Sequence, residues 1–263
     1  MRLVSWNVNG IRSAVRKGFL DWLAGARADV VALQETRAEI EDLTEDVRRL
    51  RRYPHVLWSS ARSRRGYSGV ALLCRTAPRR ILTSLGVEDF DREGRFALAE
   101  LDALLVASVY FPKGSGTLRD NSRVPYKLAF TEHLFDVLDA ERRRRRKPVV
   151  ILGDFNIAPQ PIDLARPRDN TATSGFLPEE RELLGRCLAR GWVDTYRALH
   201  PDRVQYTWWS NRFGVREKNI GWRIDHALVS AALLPRVRRA FVLDQVRGSD
   251  HCPIGIDLDL DRA

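Results

Sequence analysis

Short apolar runs that end on a polar residue recur along the chain, and they limit its fold more than any other feature. Residues 149–152, Val-Val-Ile-Leu, lie between Pro148 and Gly153 and lead into Asp154. A β-branched run of that length between breakers reads as a strand buried on both faces. Residues 3–9 read as a strand and residues 30–34 as a second buried one, and residues 70–73, 98–101 and 104–110 supply further strands. Residues 224–229 and 254–260 close the set. In the last of these Ile254, Ile256, Leu258 and Leu260 alternate with Gly and Asp, which predicts a half-exposed edge strand.

Amphipathic stretches come singly between these strands. Residues 13–27 carry Val15, Phe19, Leu20 and Leu23 on one helical face, with Ser13 as the expected N-cap. Residues 126–145 repeat Leu128, Leu134, Phe135 and Leu138 at helical spacing. Pro178 opens a further helix, Glu179 and Glu180 suit the positive end of its dipole, and Gly191 stops it. Strands outnumber helices, so two packed sheets with helices outside fit better than a purely parallel doubly wound sheet. No linker, repeat or composition break divides the chain, and residues 1–263 are expected to form one α/β domain.

Lys and Arg number 44 against 34 Asp and Glu, a formal charge of +10. Only five of the 44 are Lys, so an Arg-rich genome explains the excess as readily as a polyanionic partner does. Residues 142–147, five Arg and a Lys, fall at a helix C-terminus, where cations are favoured without any ligand. The three cysteines form no CxxC pair, which argues against a disulfide framework and a zinc site and leaves Cys252 as a small buried residue. No apolar run reaches membrane-spanning length, so no membrane association is expected. Residues 1–6 enter a strand directly, so neither a secretory leader nor an N-terminal regulatory extension is expected, and a reducing cytoplasm is the expected compartment.

The polar residues at the strand ends carry the chemistry. Asn7 ends the first strand, Glu35 the second, Tyr110 a middle strand, and Asp154 with Asn156 the central one. Asp225 sits in Gly-Trp-Arg-Ile-Asp, and Asp250 and His251 in Gly-Ser-Asp-His-Cys-Pro. One such residue is ordinarily a turn former or a cap. Several on converging strand ends are costly to bury unless paired or bound to a metal. Hard oxygen donors without a thiolate set select Mg²⁺, with Mn²⁺ as a substitute, and suit phosphodiester cleavage.

Six motifs occur in order: Trp6-Asn7-Val8-Asn9-Gly10-Ile11-Arg12, Leu33-Gln34-Glu35-Thr36, Tyr110-Phe111-Pro112, Gly153-Asp154-Phe155-Asn156, Gly221-Trp222-Arg223-Ile224-Asp225 and Gly248-Ser249-Asp250-His251-Cys252-Pro253. Together they resemble the exonuclease III family of apurinic/apyrimidinic endonucleases, in the endonuclease/exonuclease/phosphatase superfamily with its deoxyribonuclease I-like fold. The resemblance runs from residue 3 to about 260. Residues 175–181, Gly-Phe-Leu-Pro-Glu-Glu-Arg, narrow it to the DNA-repair branch.

The resemblance implies a four-layered α/β sandwich of two packed mixed sheets with outer helices. It implies a Mg²⁺-dependent DNA-repair nuclease that cuts double-stranded DNA 5′ to abasic sites, with 3′-to-5′ exonuclease or 3′-end-cleaning activity besides. Carried over, it makes Glu35 the principal metal ligand with Asn7 beside it, and Asp154 the group that orients or deprotonates water. Asn156 and Tyr110 would contact the phosphate, and Asn156 would also hold Asp154. His251 would bind a phosphate oxygen with Asp225 on its other ring nitrogen. Asp250 would be a metal ligand or lie just behind one, and Asp154, Asn156 and His251 are further candidates around the ion. How proton transfer divides among Asp154, Tyr110 and His251 stays open.

Trp208, Trp222 and Ile224 match the aromatic pocket that admits a base-free sugar, with Trp208 a bulkier variant of a common Phe and Trp209 adjacent. Arg12 and Lys113 are expected on the DNA backbone. Arg212, Arg216, Lys218 and Arg223 would form a phosphate track, with Arg64, Arg65, Arg119 and Arg123 in nearby loops. The loop at residues 63–68 is expected to flank or enter the duplex. A monomer associated with the nucleoid is the expected state. Three alternatives stay open: a predominant 3′-to-5′ exodeoxyribonuclease, a non-DNA phosphoesterase of the same superfamily, and an inactive nucleic-acid-binding module.

Overall fold

A computed structural model describes residues 1–118, 120–212 and 214–260. Twelve strands form two six-stranded sheets. The first sheet contains β1 (Arg2–Asn7), β2 (Val30–Gln34), β3 (His55–Ser59), β4 (Val70–Cys74), β11 (Val237–Val242) and β12 (Ile254–Leu258), in the order β11-β12-β1-β2-β4-β3. The second contains β5 (Arg80–Leu82), β6 (Phe96–Glu100), β7 (Leu105–Tyr110), β8 (Val149–Asp154), β9 (Trp192–Asp194) and β10 (Asp225–Ser230), in the order β5-β6-β7-β8-β10-β9. Each sheet is mixed: β1 runs parallel to β2 and β7 parallel to β8, while the other pairs are antiparallel.

Alternation along each strand sends successive side chains to opposite faces. Leu3, Val30, Ala32 and Leu72 of the first sheet meet Ala99, Val106, Val150 and Leu152 of the second in the central core. Their neighbours Val4, Val31, Leu33 and Leu73 face outward onto α1 (Ile11–Arg16) and α2 (Phe19–Gly25) through Ile11, Phe19 and Leu23. Short turns at α3 (Glu45–Arg48) and α4 (Glu88–Asp91) follow. On the far side Ala107, Val109 and Ile151 meet Phe130, Phe135 and Leu138 of α5 (Val124–Arg145), and Leu183 and Leu184 of α6 (Pro178–Ala189). A short α7 (Thr195–Leu199) precedes β10. The helix–sheet–sheet–helix stacking is the expected four-layered sandwich.

Several local expectations need correction. In place of one helix over residues 13–27 there are two, Ile11–Arg16 and Phe19–Gly25, with Gly18 at φ 92 between them. Ser13 lies inside α1 and caps nothing. The strand at Ile254–Leu258 is not an edge: β11 covers it on one side and β1 on the other. The Arg run is tied to the scaffold as well as solvated. Arg142 pairs with Asp139 at 2.9 Å, and Lys147 with Glu100 at 2.9 Å. Cys252 is fully buried, as expected. Among the described residues no helix is long and apolar enough to cross a membrane.

Candidate active site

The strand ends converge as their chain order requires. Parallel pairing puts the C-terminal ends of β1 and β2 side by side, and those of β7 and β8 likewise. Tyr110 and Asp225 both register opposite Asp154. Gly153 permits the close approach, since a Cβ there would collide with the carbonyl oxygen of Val109. A buried polar link joins the two sheets beneath the site: Gln34 donates to Ser108 Oγ at 3.1 Å, and Ser108 donates to Leu33 O at 3.0 Å.

Asn7 spans the gap between the sheets. Its Nδ2 donates to Glu35 Oε1 at 2.9 Å and to Asp154 Oδ2 at 2.8 Å. Glu35 and Asn156 both hold left-handed backbone, φ 50 and φ 51, which turns each side chain at the end of its strand. Arg37 pairs with Glu35 Oε2, and Lys113 Nζ lies 3.7 Å from Oε1. Asp154 Oδ1 accepts from the Asn156 backbone N–H at 2.8 Å, and Asn156 Nδ2 is committed to Phe111 O at 3.0 Å.

His251 bonds Asp225 Oδ2 through Nδ1 at 2.8 Å and places Nε2 3.8 Å from Asp154 Oδ2. Thr207 Oγ1 donates to the same Asp225 oxygen at 2.6 Å. Both Asp250 oxygens are engaged, Oδ1 by Asn9 Nδ2 at 2.8 Å and Oδ2 by the Trp208 indole N–H at 3.0 Å.

These contacts separate the protonation states. Burial pushes Asp154 up to about 6; the charge of His251 opposes that shift, and the neighbouring carboxylates of Asp225 and Glu35 add to it. Burial also works against a charged His251, yet Asp225 and Asp154 outweigh it and hold the imidazole at about 9. Burial favours a neutral Glu35 as well, but Lys113, Arg37 and the Asn7 bond keep its carboxyl well below the usual range. Burial, reinforced by Glu35, raises the Tyr110 phenol, so it stands as an O–H donor. The Arg95 guanidinium lies 4.6 Å from the Tyr110 ring centroid and donates to Tyr110 O at 3.1 Å.

Glu35, Asp154 and His251 each offer a ligand atom within 4.8 Å of the others. The two carboxylates fit a hard divalent cation, whereas Asn7 turns its NH2 donor toward them and its oxygen toward the Asn9 N–H, so it orients the carboxylates and is not placed as a ligand. A charged imidazole has no lone pair for a metal, so His251 fits an anion better.

Next to this cluster opens a cavity of about 360 Å³, lined by Lys113, Asn156, Gly175, Trp208, Trp222, Ile224 and His251, among others. Trp208 and Trp222 pair through their backbones, and both line the cavity. Lys113 remains half exposed.

A family model described as the Endonuclease/Exonuclease/phosphatase family matches residues 4–251. The chain belongs to the endonuclease/exonuclease/phosphatase family. The "DNA repair nuclease APEX1" of Danio rerio is 40% identical over 260 residues, spanning 98% of this chain and 82% of that protein. An "Exodeoxyribonuclease" of Bacillus subtilis is 39% identical over 266 residues, spanning 99% of this chain and 100% of that one. Among solved structures, a 3′-5′ exonuclease from Neisseria meningitidis superposes with a TM-score of 0.89 at 28% identity, covering 98% of this chain and 100% of its own. An AP endonuclease from Archaeoglobus fulgidus gives 0.86 at 27% identity, covering 98% and 99%.

In this member of the family, some residues read as substrate contacts have other duties. Arg223 is buried, donating to Asp163 at 2.7 Å and pairing with Asp194 at 2.8 Å. Arg216 lies over the Trp209 ring and donates to the carbonyls of Ser249, Asp244 and Val246. Trp209 is buried with Tyr206 and Cys252, away from the cavity lining. Arg123 joins Tyr67 and Glu93, and Arg65 pairs with Asp42. Arg12, Arg64, Arg212 and Lys218 are exposed; Arg12 stands on α1 outside the cavity lining. Arg119 lies outside the described residues. In the loop at residues 63–68 Tyr67 is anchored by Arg95 and Arg123.

Sequence reasoning missed Asn9, Arg37, Arg95 and Thr207 as parts of the site. Asn9 and Arg37 were within reach, lying two residues beyond Asn7 and Glu35. Arg95 and Thr207 carried no local signal.

Proposed function

We propose that this chain is a DNA-repair nuclease that hydrolyses the phosphodiester 5′ to an abasic site, leaving a 3′-hydroxyl and a 5′-deoxyribose phosphate. The observation that carries this reading is the place of Asp154. It lies buried between the Asn7–Glu35 cluster and the Asp225–His251 pair, and its neighbours Asn156 and His251 line the aromatic-walled cavity. The names of two relatives, a DNA repair nuclease and an exodeoxyribonuclease, support it.

Glu35 and Asp154, with Asn7 between them, are the residues that would hold Mg²⁺. When bound, the ion would stabilise negative charge on the reacting phosphate and the leaving O3′. Asp154, whose Oδ2 lies 3.8 Å from His251 Nε2 and whose Oδ1 is held by the Asn156 N–H, is the base that takes a proton from the attacking water. The water oxygen bonds to phosphorus, the P–O3′ bond breaks, and a proton passes to O3′. The His251 imidazolium and the Tyr110 O–H face the non-bridging oxygens as donors. Asp225 holds the His251 tautomer.

An abasic nucleotide is cheap to turn out of the stack because it has no base to unpair. Trp208, Trp222 and Ile224 offer an apolar wall for the bare sugar, and Lys113 a cation for the flanking backbone. The chain would act as a monomer on duplex DNA in the cytoplasm, at the nucleoid. The +10 charge would make its binding strongly salt-dependent through counterion release.

The test is a labelled duplex with one synthetic abasic site, incubated with Mg²⁺ or with EDTA beside an intact duplex. A single Mg²⁺-dependent cut 5′ to the lesion is expected. Digestion of the intact duplex from its 3′ ends without lesion preference would reassign the chain as an exonuclease. No cleavage of either would sink the reading.

A further inference from the structure

The indole N–H of Trp208 begins an unbroken hydrogen-bond chain from the cavity wall to the carboxylate pair. It donates to Asp250 Oδ2 at 3.0 Å. Asp250 Oδ1 accepts from Asn9 Nδ2 at 2.8 Å. The backbone N–H of Asn9 donates to Asn7 Oδ1 at 3.0 Å. Asn7 Nδ2 then holds Glu35 and Asp154 at 2.9 and 2.8 Å. We infer that Trp208 is a positioning residue for the metal-binding carboxylates, acting through Asp250, Asn9 and Asn7. The inference rests on the reading above that Glu35 and Asp154 hold the cation.

The physical case starts at Asp250. Its carboxylate is partly buried, with Oδ1 held by Asn9 Nδ2 and, more weakly, by Ser249 Oγ at 3.3 Å, and Oδ2 held by the Trp208 indole. Removing the indole donor leaves Oδ2 without its protein partner, and the carboxylate is then free to turn toward another. Asn9 holds left-handed backbone at φ 45, and its side chain is anchored on Asp250. A turned Asp250 therefore releases the side-chain tie on Asn9, whose own N–H orients the Asn7 carboxamide, while Val8 and Gly10 stay bonded to Gln34 O and Glu35 O at 3.0 and 2.7 Å. Asn7 is the only group among the described residues that hydrogen-bonds both Glu35 and Asp154. Ser249 Oγ fixes the same region by donating to Asn7 O at 2.8 Å. The backbone of Trp208 is held independently by bridges to Trp222 and His251. Replacing the indole by a benzene ring thus keeps an aromatic wall and deletes one N–H.

The inference also bears on Asp250 itself. With Oδ2 bound to the indole and Oδ1 to Asn9, this carboxylate supports the metal cluster from behind. Loss of the indole N–H would not add a ligand; it would loosen the frame that holds the existing two.

The experiment measures Mn²⁺ binding calorimetrically to the DNA-free protein, for the wild type, Trp208→Phe, Asp250→Asn and the double variant. Urea unfolding of each confirms a folded sample. Trp208→Phe should weaken Mn²⁺ binding severalfold, up to the roughly tenfold lower end seen when a direct partner of a metal ligand is lost, because it acts one step further out. Asp250→Asn approaches the same bond from its other end. The double variant should bind no more than about twofold weaker than Asp250→Asn, because both changes break one chain. In spectra of the metal-free protein, the indole N–H resonance lost in Trp208→Phe should shift in Asp250→Asn.

Unchanged or tighter Mn²⁺ binding by Trp208→Phe would overturn the inference, and so would additive losses in the double variant. A wild type that binds no Mn²⁺ would overturn both the inference and the metal reading. Normal Mn²⁺ binding without any cut at an abasic site would overturn only the proposed function.

Discussion

His251 Nδ1 and Asp225 Oδ2 share a buried 2.8 Å hydrogen bond, and the imidazole they orient points its other nitrogen at Asp154. The pair makes His251 a stored cation, with its titration moved up to about 9. The unfolded chain would titrate this group near 6.5. Its contribution to stability is therefore complete below about pH 6.5 and is lost as pH rises through about 9. Asp154 titrates below that window. In EDTA, urea unfolding should show stability falling by a few kcal/mol between about pH 6.5 and 9.5 from this group. Asp225→Asn should flatten that step. An equal step in the variant would show that Asp225 is not its source.

Asp154→Ala should abolish turnover while leaving duplex binding nearly intact. Loss of a general base typically costs about 10²- to 10⁴-fold, and here the same carboxylate also belongs to the proposed cation site. Single-turnover cleavage and equilibrium binding, measured on one abasic duplex, separate the two effects. Retained turnover would remove Asp154 from the role assigned to it.

Glu35→Gln keeps the shape of the side chain and removes the charge that Arg37 and Lys113 surround. The Mg²⁺ concentration for half-maximal cleavage should rise about tenfold or more. A Mg²⁺ titration at fixed duplex concentration checks this. An unchanged midpoint would count against ligation by Glu35.

Lys127 and Glu180 form a fully buried pair at 2.8 Å beneath the cavity. Lys127 also donates to Asn156 O at 2.7 Å, and Glu180 accepts from Ser174 Oγ at 2.8 Å. Lys127→Met leaves the Glu180 charge unmatched and should destabilise the protein by about 3–5 kcal/mol. Adding Glu180→Gln should recover part of that loss. Urea unfolding of the single and double variants reads both numbers.

Strand ends were the legible part of this molecule. Val149, Val150, Ile151 and Leu152 announce a buried strand by composition alone, and β8 proves central in its sheet. Asn7, Glu35, Asp154 and His251 stood out because burying them without partners is costly, and the structure supplies those partners to one another. The strand β11 was not legible. Arg238 and Arg239 interrupt its apolar residues, and they are tolerated because the strand lies at the sheet edge. The two-helix break at Gly18 was hidden for a different reason. One glycine with positive φ leaves the apolar spacing on both sides unchanged.

Local sequence determined which residues would be apolar and buried, which polar groups would end strands, and which ordered motifs mark the family. Those features depend on side-chain chemistry and on spacings of two and 3.6 residues. Tertiary structure decided which charged residues serve the site and which serve the frame. Arg223 looks like a phosphate contact until Asp163, sixty residues away, closes on it at 2.7 Å. Trp208 and Trp209 are neighbours of one type, yet one lines the cavity and bonds Asp250 while the other packs beneath Arg216. A charge or a hydrogen-bond donor acquires its role from its partner. Here the partners come from distant strands, and only the packing of the two sheets brings them together.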